Sequence, residues 1–531
     1  MDDKIGRRGP GHPPDQPRSR LPSIDEAHSR LTPDSLTATA LLYIALPNLI
    51  FLGGWLRPEL AVIAIGLLLA SLWQFLRRRD MAWALPQSAG ALLLIVLVAF
   101  AWTSLGGAGH FFRANLDWLV RDTVLGDLTL TDWPPSYGMV DGNHHILRSA
   151  IGFFLPAALL GKLAGMGVVD IALYFWTALG AALFLLLLPL PQRAGSLLGP
   201  LLLVPVFFSG MDYLGIVLVT GTTPVFPLRL EWWVPFSYSS LTGQMYWAPN
   251  HALPLWLVTA LFYRHWGHRC LPALVTLLLP MLVIWTPFAV VGILPFVGLA
   301  ILRWFAEGRT VKEWNLSVVQ ILAAVLLTYL TVRLMTLGIA AIPGAPTANV
   351  APNADRFVLK YLTFVLMEFA ILALLMARQL RHSHGLFWLS FAILAALPLY
   401  QYGPSNDTAL RLSTPALVIL MILLIDQIRY WATLKSWRAP PPTAWAIAVV
   451  LPIGACTPFN EMWRAATFSR TPPNYKNSLV DQHKGQEPPH YVGRLDRADL
   501  IAVLRTPTLV PNAAERSRQG LPVAPPPLKP R

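Results

Sequence analysis

The chain has 531 residues, of which 55% are hydrophobic and only 13% charged, with a mean hydropathy of +0.51. Ordinary globular proteins carry roughly 25% charged residues, so this composition excludes a water-facing exterior over most of the length. The balance of 41 Lys+Arg against 28 Asp+Glu gives a net charge of +13. These basic residues sit mostly in short loops between apolar runs, where they orient a membrane protein, and no nucleic acid is expected as a partner.

Residues 1–34 are rich in Pro, Arg and Asp, lack the apolar stretch of a secretory signal, and read as a disordered cytoplasmic tail. Apolar windows near 36–56, 59–76 and 84–105 are each long enough to cross a hydrocarbon layer of ~30 Å. Arg77-Arg78-Arg79 closes the second window and marks the cytoplasmic side. Further windows at 168–190, 195–209, 250–265, 270–285, 287–305, 316–338, 357–378, 385–400, 413–430 and 442–458 bring the expected total to about thirteen spans. An odd count with a cytoplasmic N-terminus puts the C-terminus outside. Arg193, Arg264, Arg269, Arg303, Arg309, Lys312, Arg378, Arg381, Arg429, Lys435 and Arg438 all fall in alternate loops on the Arg77 side. Asp117, Asp122, Asp127, Asp132, Asp141, Asp212, Glu231, Asp355 and Asp407 fall in the opposite ones.

The fold class expected is therefore all-α: a polytopic transmembrane domain over 35–458, with outer loops at 108–146, 211–248, 340–356 and 401–411. Residues 459–531 read as a polar, partly disordered outer tail in which 493–505 can form a short amphipathic helix. Segment 145–166 is apolar but carries Arg148, Pro156 and Lys162. A full span there would place the later basic clusters outside, so it reads as a juxtamembrane or re-entrant helix at the outer interface. Pro254, Pro280, Pro287 and Pro295 fall within spans and predict kinked helices. No internal repeat is evident, which weakens an inverted-repeat transporter reading. Cys270 and Cys456 lack CxxC spacing, so neither a disulfide framework nor a thiolate metal site is indicated.

The first outer loop concentrates the residues that can do chemistry. With a helix over 112–125, Arg113, Asp117 and Arg121 form one stripe at four-residue steps. Asp122 then lies about 140° round the helix from Asp117, so the two carboxylates do not converge. That disfavours a two-carboxylate hydrolase and favours one base with cationic neighbours; a structural salt-bridge stripe explains the same spacing. His144 and His145 are adjacent, unlike facing ligand pairs on a helix, and suit acceptor binding or a solvated loop. In the second loop Trp232, Trp233, Tyr246 and Trp247 can stack on sugars or form the interfacial aromatic belt. Asn250 and His251 stand where a span begins and need a polar cavity or protein partners. Asp407 and Arg411 are spaced to pair with each other or to meet a donor phosphate at the outer mouth. Glu368, mid-span, is the best sequence clue for a transporter.

A span, an outer loop with NLDWLVRDTVLGDLTLTDWPPSY, the interfacial LPAALLGKLAG, and the later YWAPNHALPLWL and NDTALRLSTPALVIL together resemble the glycosyltransferase C superfamily. Its members include protein O-mannosyltransferases, oligosaccharyltransferases, lipid A aminoarabinose transferases and mycobacterial arabinosyltransferases. A group of bacterial multi-span proteins of similar N-terminal architecture is closer still. The resemblance covers 84–190 best and 230–265 and 400–425 less well. It implies a GT-C-like enzyme of the bacterial inner membrane that uses a polyprenyl-phosphate-linked sugar donor on the outer face, with a glycan, lipid or protein acceptor. It also implies Asp117 as general base or as ligand of Mg²⁺ or Mn²⁺, with Asp122 as second catalytic candidate. The superfamily's adjacent acidic pair is absent, because Trp118 follows Asp117. Arg121, Arg148 and Arg411 suit the donor phosphate, since a guanidinium binds phosphate through two parallel hydrogen bonds; each equally suits lipid headgroups. The rival expectations are a flippase or transporter of lipid-linked sugars, a polysaccharide polymerase or ligase, and a noncatalytic scaffold of the same architecture.

Overall fold

A computed structural model describes residues 34–77, 87–226, 230–231, 236–342, 344–347, 356–378, 380, 382–403, 406–433, 440–518 and 521. Residues 1–33 of the expected tail, Arg78, Arg79, Trp232, Trp233, Asp355, Arg381, Lys435, Arg438 and the proline-rich C-terminal end lie outside these.

The chain begins with α1 (Ser35–Trp55), α2 (Pro58–Leu76) and α3 (Ala89–Ser104). A polar excursion follows, made of α4 (Trp118–Leu130), β1 (Pro135–Val140), β2 (Asn143–Leu147) and α5 (Leu155–Ala164). The bundle resumes with α6 (Val169–Leu187), α7 (Leu198–Phe207), α8 (Asp212–Thr220) and the short α9 (Leu241–Trp247). Next come α10 (Pro249–Arg264), α11 (Leu271–Leu282), α12 (Pro287–Ala306) and α13 (Val318–Met335). After β3 (Gly344–Pro346) come α14 (Phe357–Ala377), α15 (His384–Ala396), β4 (Tyr400–Tyr402), α16 (Thr408–Ala432) and α17 (Pro442–Thr467). The C-terminal part adds α18 (Leu479–Gln482), β5 (Val492–Arg494), α19 (Ala498–Val503), β6 (Thr508–Leu509) and α20 (Ala513–Arg518).

The protein is a mostly helical polytopic membrane protein: among the described residues, nine helices are long and apolar enough to cross a bilayer. Where water is excluded each backbone amide must bond within its own segment, which leaves helices as the economical solution for these apolar runs. Their ends carry the expected polar caps. The Asp34 carboxylate accepts from Thr37 N at 2.9 Å, and Ser317 and Gln320 form a reciprocal capping box on α13. Large apolar side chains such as Val62, Leu163, Leu302 and Val318 remain exposed on the outside of the bundle, as a lipid-facing surface requires.

The two ends of the bundle differ in character. At one end Arg264 pairs with Asp34, Arg309 donates to the Gly267 carbonyl, Ser317 bonds Gln74, and Tyr263 donates to Asp426. At the other end the polar excursion, residues 336–342, 344–347, 400–403 and 406–407, and the C-terminal part meet in one layer. Its four-stranded sheet has the order β5-β2-β1-β6, with β1–β2 and β2–β5 antiparallel and β1–β6 parallel. The β1–β2 hairpin turns through Asp141 and Gly142, both at positive φ, the backbone that an Asp-Gly pair favours in a two-residue hairpin. The pair β3–β4 forms a second small sheet.

The mostly helical content is consistent with the all-α expectation, to which the two small sheets are additions. Several finer expectations need correction. The loop expected at 211–248 contains α8 and α9, and α17 runs to Thr467 instead of stopping near 458. Pro287 starts α12 at its first turn, where a missing amide hydrogen does no harm, while Pro254, Pro280 and Pro295 are inside helices. Interfacial segment 145–166 divides into the end of β2 and the ten-residue α5. Within 459–531, read as a polar, partly disordered outer tail, residues 468–518 run through a folded segment that supplies two strands to the four-stranded sheet.

This C-terminal segment is fastened by a fully buried ion pair, Arg516 with Asp127 of α4, both at 0% side-chain exposure. Tyr137 Oη and Leu479 N also donate to Asp127, and Arg516 donates to the carbonyls of Pro511 and Asn477. Burial pushes the Asp127 carboxyl up, against the pull of Arg516, so the pair is essential to keep the charge in place. Arg516→Ala is expected to destabilise this layer by about 3–5 kcal/mol, because it strands a buried carboxylate. Limited proteolysis should then cut within 468–518, and a paired Asp127→Asn, Arg516→Met variant should recover part of the protection.

Candidate functional site

A cavity of about 890 Å³ opens where α4, α12, the end of α13, the start of α16 and the C-terminal segment converge. Its wall includes Asp117, Arg121, Arg148, His251, Asp407 and Arg411, with Tyr402, His483, His490 and Tyr491 beside them. Leu116, Val120, Pro287, Phe288, Val291, Met335, Ile339 and Ile342 make a large part of it apolar.

Asp117 stands immediately before α4 and its side chain does not cap the helix. Its carboxylate is 44% exposed and lies 3.2 Å from Arg121 Nη1, one turn on. Arg121 is buried, and its Nε donates to Asn250 Oδ1 at 3.3 Å, so Asn250 sets the guanidinium from behind. The start of α4 is held by Trp118 and Asn115, which both donate to the Tyr246 carbonyl, at 2.9 and 2.7 Å. Trp118 packs so closely on Gly107 that a Cβ there would lie 1.9 Å from its Nε1. A side chain at 107 would therefore displace the tryptophan that precedes Arg121 by one turn.

The stripe expected from Arg113 through Arg121 is shorter, because the helix begins at Trp118. Arg113 lies outside it, with its guanidinium 4.4 Å from the centre of the Phe468 ring. Asp122 faces away from the cavity. It is buried and accepts from His110 Nε2 and Asn474 N, both at 3.0 Å, while His110 Nδ1 bonds the Thr471 carbonyl. Asp122 thus joins the layer to residues 471–474 and is not among the cavity residues.

Arg411 lies in a π-helical turn, Thr408–Leu412, at the start of α16. Single π turns inside helices often mark functional positions because they re-aim side chains. Its Nε is 3.8 Å from Asp407 Oδ1, too long for a hydrogen bond, and this buried Nε has no hydrogen-bond partner among the described residues. Arg148 is more committed. It donates to the carbonyls of Met335 and Pro489, and burial lowers the pKa of its guanidinium. His251 Nδ1 bonds Thr286 Oγ1 at 2.8 Å and its ring lies edge-on to Phe288. Tyr491 closes the cavity from the C-terminal segment; burial raises its hydroxyl pKa, with Arg121 pulling it down and Asp117 pushing it up.

His144 and His145 are strand residues of β2. His144 bonds Ser136 Oγ at 3.0 Å and His145 pairs with Glu487, so neither reaches the cavity wall. The structure brings together Asp117, Arg121, Arg148, His251, Asp407 and Arg411, keeps Asn250 just behind Arg121, and leaves Asp122, His144 and His145 elsewhere. Sequence reasoning missed Tyr402, His483, His490 and Tyr491. The last three lie in the stretch QHKGQEPPHY, whose polar, proline-bearing composition gave no sign of long-range docking. The hairpin had a signal, the Asp-Gly pair within YGMVDGNHH.

Comparison with protein-family models, with curated proteins and with solved structures finds no match for this chain.

The His110–Asp122 pair behind the site gives a pH test. Burial disfavours the imidazolium, but the Asp122 carboxylate and its hydrogen bond outweigh it and raise the His110 pKa to about 9. A folded pKa above the unfolded value of about 6.5 means that the contribution is fully present below pH ~6.5 and is lost as pH rises through ~9. The thermal midpoint of the purified protein should fall across that window by an amount on the order of 3 kcal/mol in stability. In His110→Asn the fall should be largely absent.

Proposed function

We propose that this protein is a membrane glycosyltransferase that moves a sugar from a polyprenyl-phosphate donor to an acceptor hydroxyl in the cavity beside Asp117. The observation that carries this reading is the half-exposed Asp117 carboxylate beside Arg121 in a cavity that Arg411 and Arg148 also line, against an apolar wall. The acceptor oxygen attacks the anomeric carbon, and its proton passes to Asp117. The bond from that carbon to the phosphate oxygen breaks, and the electron pair leaves with the phosphate. Arg411 has guanidinium donors that Asp407 does not engage at hydrogen-bond distance, which suits it to the departing phosphate. Pro287, Phe288 and Val291 of α12, with Met335 at the end of α13 and Ile339 beyond it, suit the polyprenyl chain.

The resemblance implies Mg²⁺ or Mn²⁺ on Asp117. The donor set does not fit that ion. Such hard cations take several anionic or neutral oxygens, whereas Asp117 and Asp407 are each beside an arginine and three arginines face the cavity. An anion fits better, and the transfer step above uses none of these metals.

The same reading places the cavity on the outer face of a bacterial inner membrane, with about thirteen crossings, a cytoplasmic N-terminus and an outer C-terminus. Support comes from the segregation of Arg264, Arg303 and Arg309 to the end opposite the cavity, the side where positive loops stay. Reporter fusions after residues 80 and 140 should give cytoplasmic and outer signals respectively. A cytoplasmic signal at 140 would remove the outer-face assignment.

One observation favours a second reading, a flippase or transporter of lipid-linked sugars. Asp212, Glu231 and Glu368 are buried carboxyls on or beside the helices α8 to α14, where ionisable groups commonly mark transport paths. The two readings part on Asp117. Surface glycans and glycolipids of the host, its deletion strain, and deletion strains carrying wild type or Asp117→Asn at matched levels should be compared by mass spectrometry. Loss of one sugar in both the deletion and Asp117→Asn strains supports transfer. With purified protein, Asp117→Asn should lower the transfer rate by about 10²–10⁴-fold. Arg411→Ala should weaken donor binding by about tenfold or more, with Arg411→Lys recovering only part of it. A glycan profile that Asp117→Asn restores would overturn Asp117 as the base and move weight to transport.

A further inference from the structure

The loop between α10 and α11, at the end of the bundle opposite the cavity, reads His265-Trp-Gly-His268-Arg-Cys270. Gly267 has φ +78°, a conformation that favours glycine, and His268 N donates to His265 O at 3.0 Å across this turn. The turn folds the loop so that one ligand atom from each of His265, His268 and Cys270 lies within 4.8 Å of the others. His265 Nδ1 is 3.8 Å from Cys270 Sγ. A tetrahedral zinc ion, with bonds of about 2.3 Å to sulfur and 2.0–2.1 Å to nitrogen, needs those two atoms about 3.6 Å apart.

The surroundings fix the tautomer of His265. Thr37 Oγ1 donates to Asp34 Oδ1 at 3.0 Å, so toward His265 Nε2, 3.0 Å away, the same hydroxyl accepts. Nε2 then carries the proton, and Nδ1 turns its lone pair toward the sulfur. A metal-bound histidine is commonly oriented in this way by an outer hydrogen bond that leads to a carboxylate. Asp34 supplies that carboxylate through Thr37, and it also pairs with Arg264, the cation next to the loop. His265 and Cys270 are fully buried, and His268 Nδ1 accepts from Cys270 N at 3.1 Å.

We propose that His265, His268 and Cys270 bind a thiophilic divalent ion of the zinc class, which staples the α10–α11 loop beneath the start of α1. Two imidazoles and a thiolate select such an ion over Mg²⁺ or Ca²⁺, which prefer oxygen. Binding replaces the Cys270 thiol proton, which leaves to solvent, and His268 exchanges its bond to Cys270 N for the metal. The site is separate from the transferase cavity and does not depend on that reading. Cysteine spacing alone gave no sign of it, since its other ligands are histidines.

Cobalt(II) serves as the probe, titrated into full-length protein purified in detergent and freed of metal by chelation. The expected result is a thiolate-to-cobalt charge-transfer band that saturates at about one ion per chain and is displaced by zinc. Cys270→Ser should abolish the band, and Cys456→Ser should keep it. Absence of the band in wild type, or its persistence in Cys270→Ser, overturns the proposal. Because Cys270→Ser can fail to fold, a second measurement uses Cys456→Ser, in which Cys270 is the remaining thiol. Stoichiometric zinc should slow its alkylation by maleimide about tenfold or more. Unchanged alkylation in that protein overturns the proposal as well.

Discussion

The buried pair of Asp127 and Arg516 holds the cavity's architecture together. Neither charge has exposed surface, so each is stable there only while the other is present. Its two partners lie 389 positions apart in the chain, and joining them draws residues 468–518 back across the layer that contains α4. Tyr491 and His490 reach the cavity as part of that return, next to Arg148, whose amide donates to the Tyr491 carbonyl. The position of Asp117 is also affected, because Asp127 anchors the far end of the helix that starts at Trp118. One ion pair thus couples a wall of the cavity to the helix that presents its most accessible carboxylate.

Charge in the cavity is arranged asymmetrically. Each carboxylate has an arginine one turn away, yet the contacts differ: Asp117 lies at 3.2 Å from Arg121, whereas Asp407 lies at 3.8 Å from Arg411. Arg121 is further restrained by Asn250 and Arg148 by two carbonyls. Arg411 is therefore the cation with most bonding capacity left for a ligand, and Asp117 the anion with most solvent access. In a site that is partly apolar, a buried guanidinium with unused donors is attracted to an anion that can form charge-assisted hydrogen bonds with it. The proposed donor, an anionic headgroup on an apolar chain, would engage both the arginines and the wall.

Much of the helical framework was legible in the sequence, and much of the outer layer was not. Apolar windows declare themselves through local composition, and each window from 36 to 458 carries a helix. Asp117 and Arg121 were recognisable as neighbours because four residues make roughly one helical turn. Asp407 and Arg411 were recognisable in the same way, although the π-helical turn loosens their contact. What composition cannot reveal is pairing between distant segments. His145 sits opposite Arg494 in the sheet, and nothing within HILRSAIGFF or YVGRLDR announces that register. His144 and His145, expected to bind acceptor or to lie in a solvated loop, are strand residues because they follow directly on the Asp141-Gly142 turn.

The same distinction between local and distant information explains the position of Asp122. Helical geometry alone separates it from Asp117 and leaves open what it faces; the answer, His110 and Asn474, depends on two segments that meet each other over the Asp122 carboxylate, with His110 also bonded to the Thr471 carbonyl. A buried carboxylate with a histidine and a backbone amide as partners is well satisfied, and such satisfaction removes it from the pool of groups able to accept a proton from substrate. Asp117 is the reverse case: its neighbour Asn115 bonds its backbone amide and leaves the carboxylate for the cavity. Two aspartates five residues apart are thus divided by their partners into one that holds the layer together and one that is exposed to a ligand. That division, more than the presence of several acids in one polar segment, is the physical basis for proposing Asp117 as the reactive carboxylate.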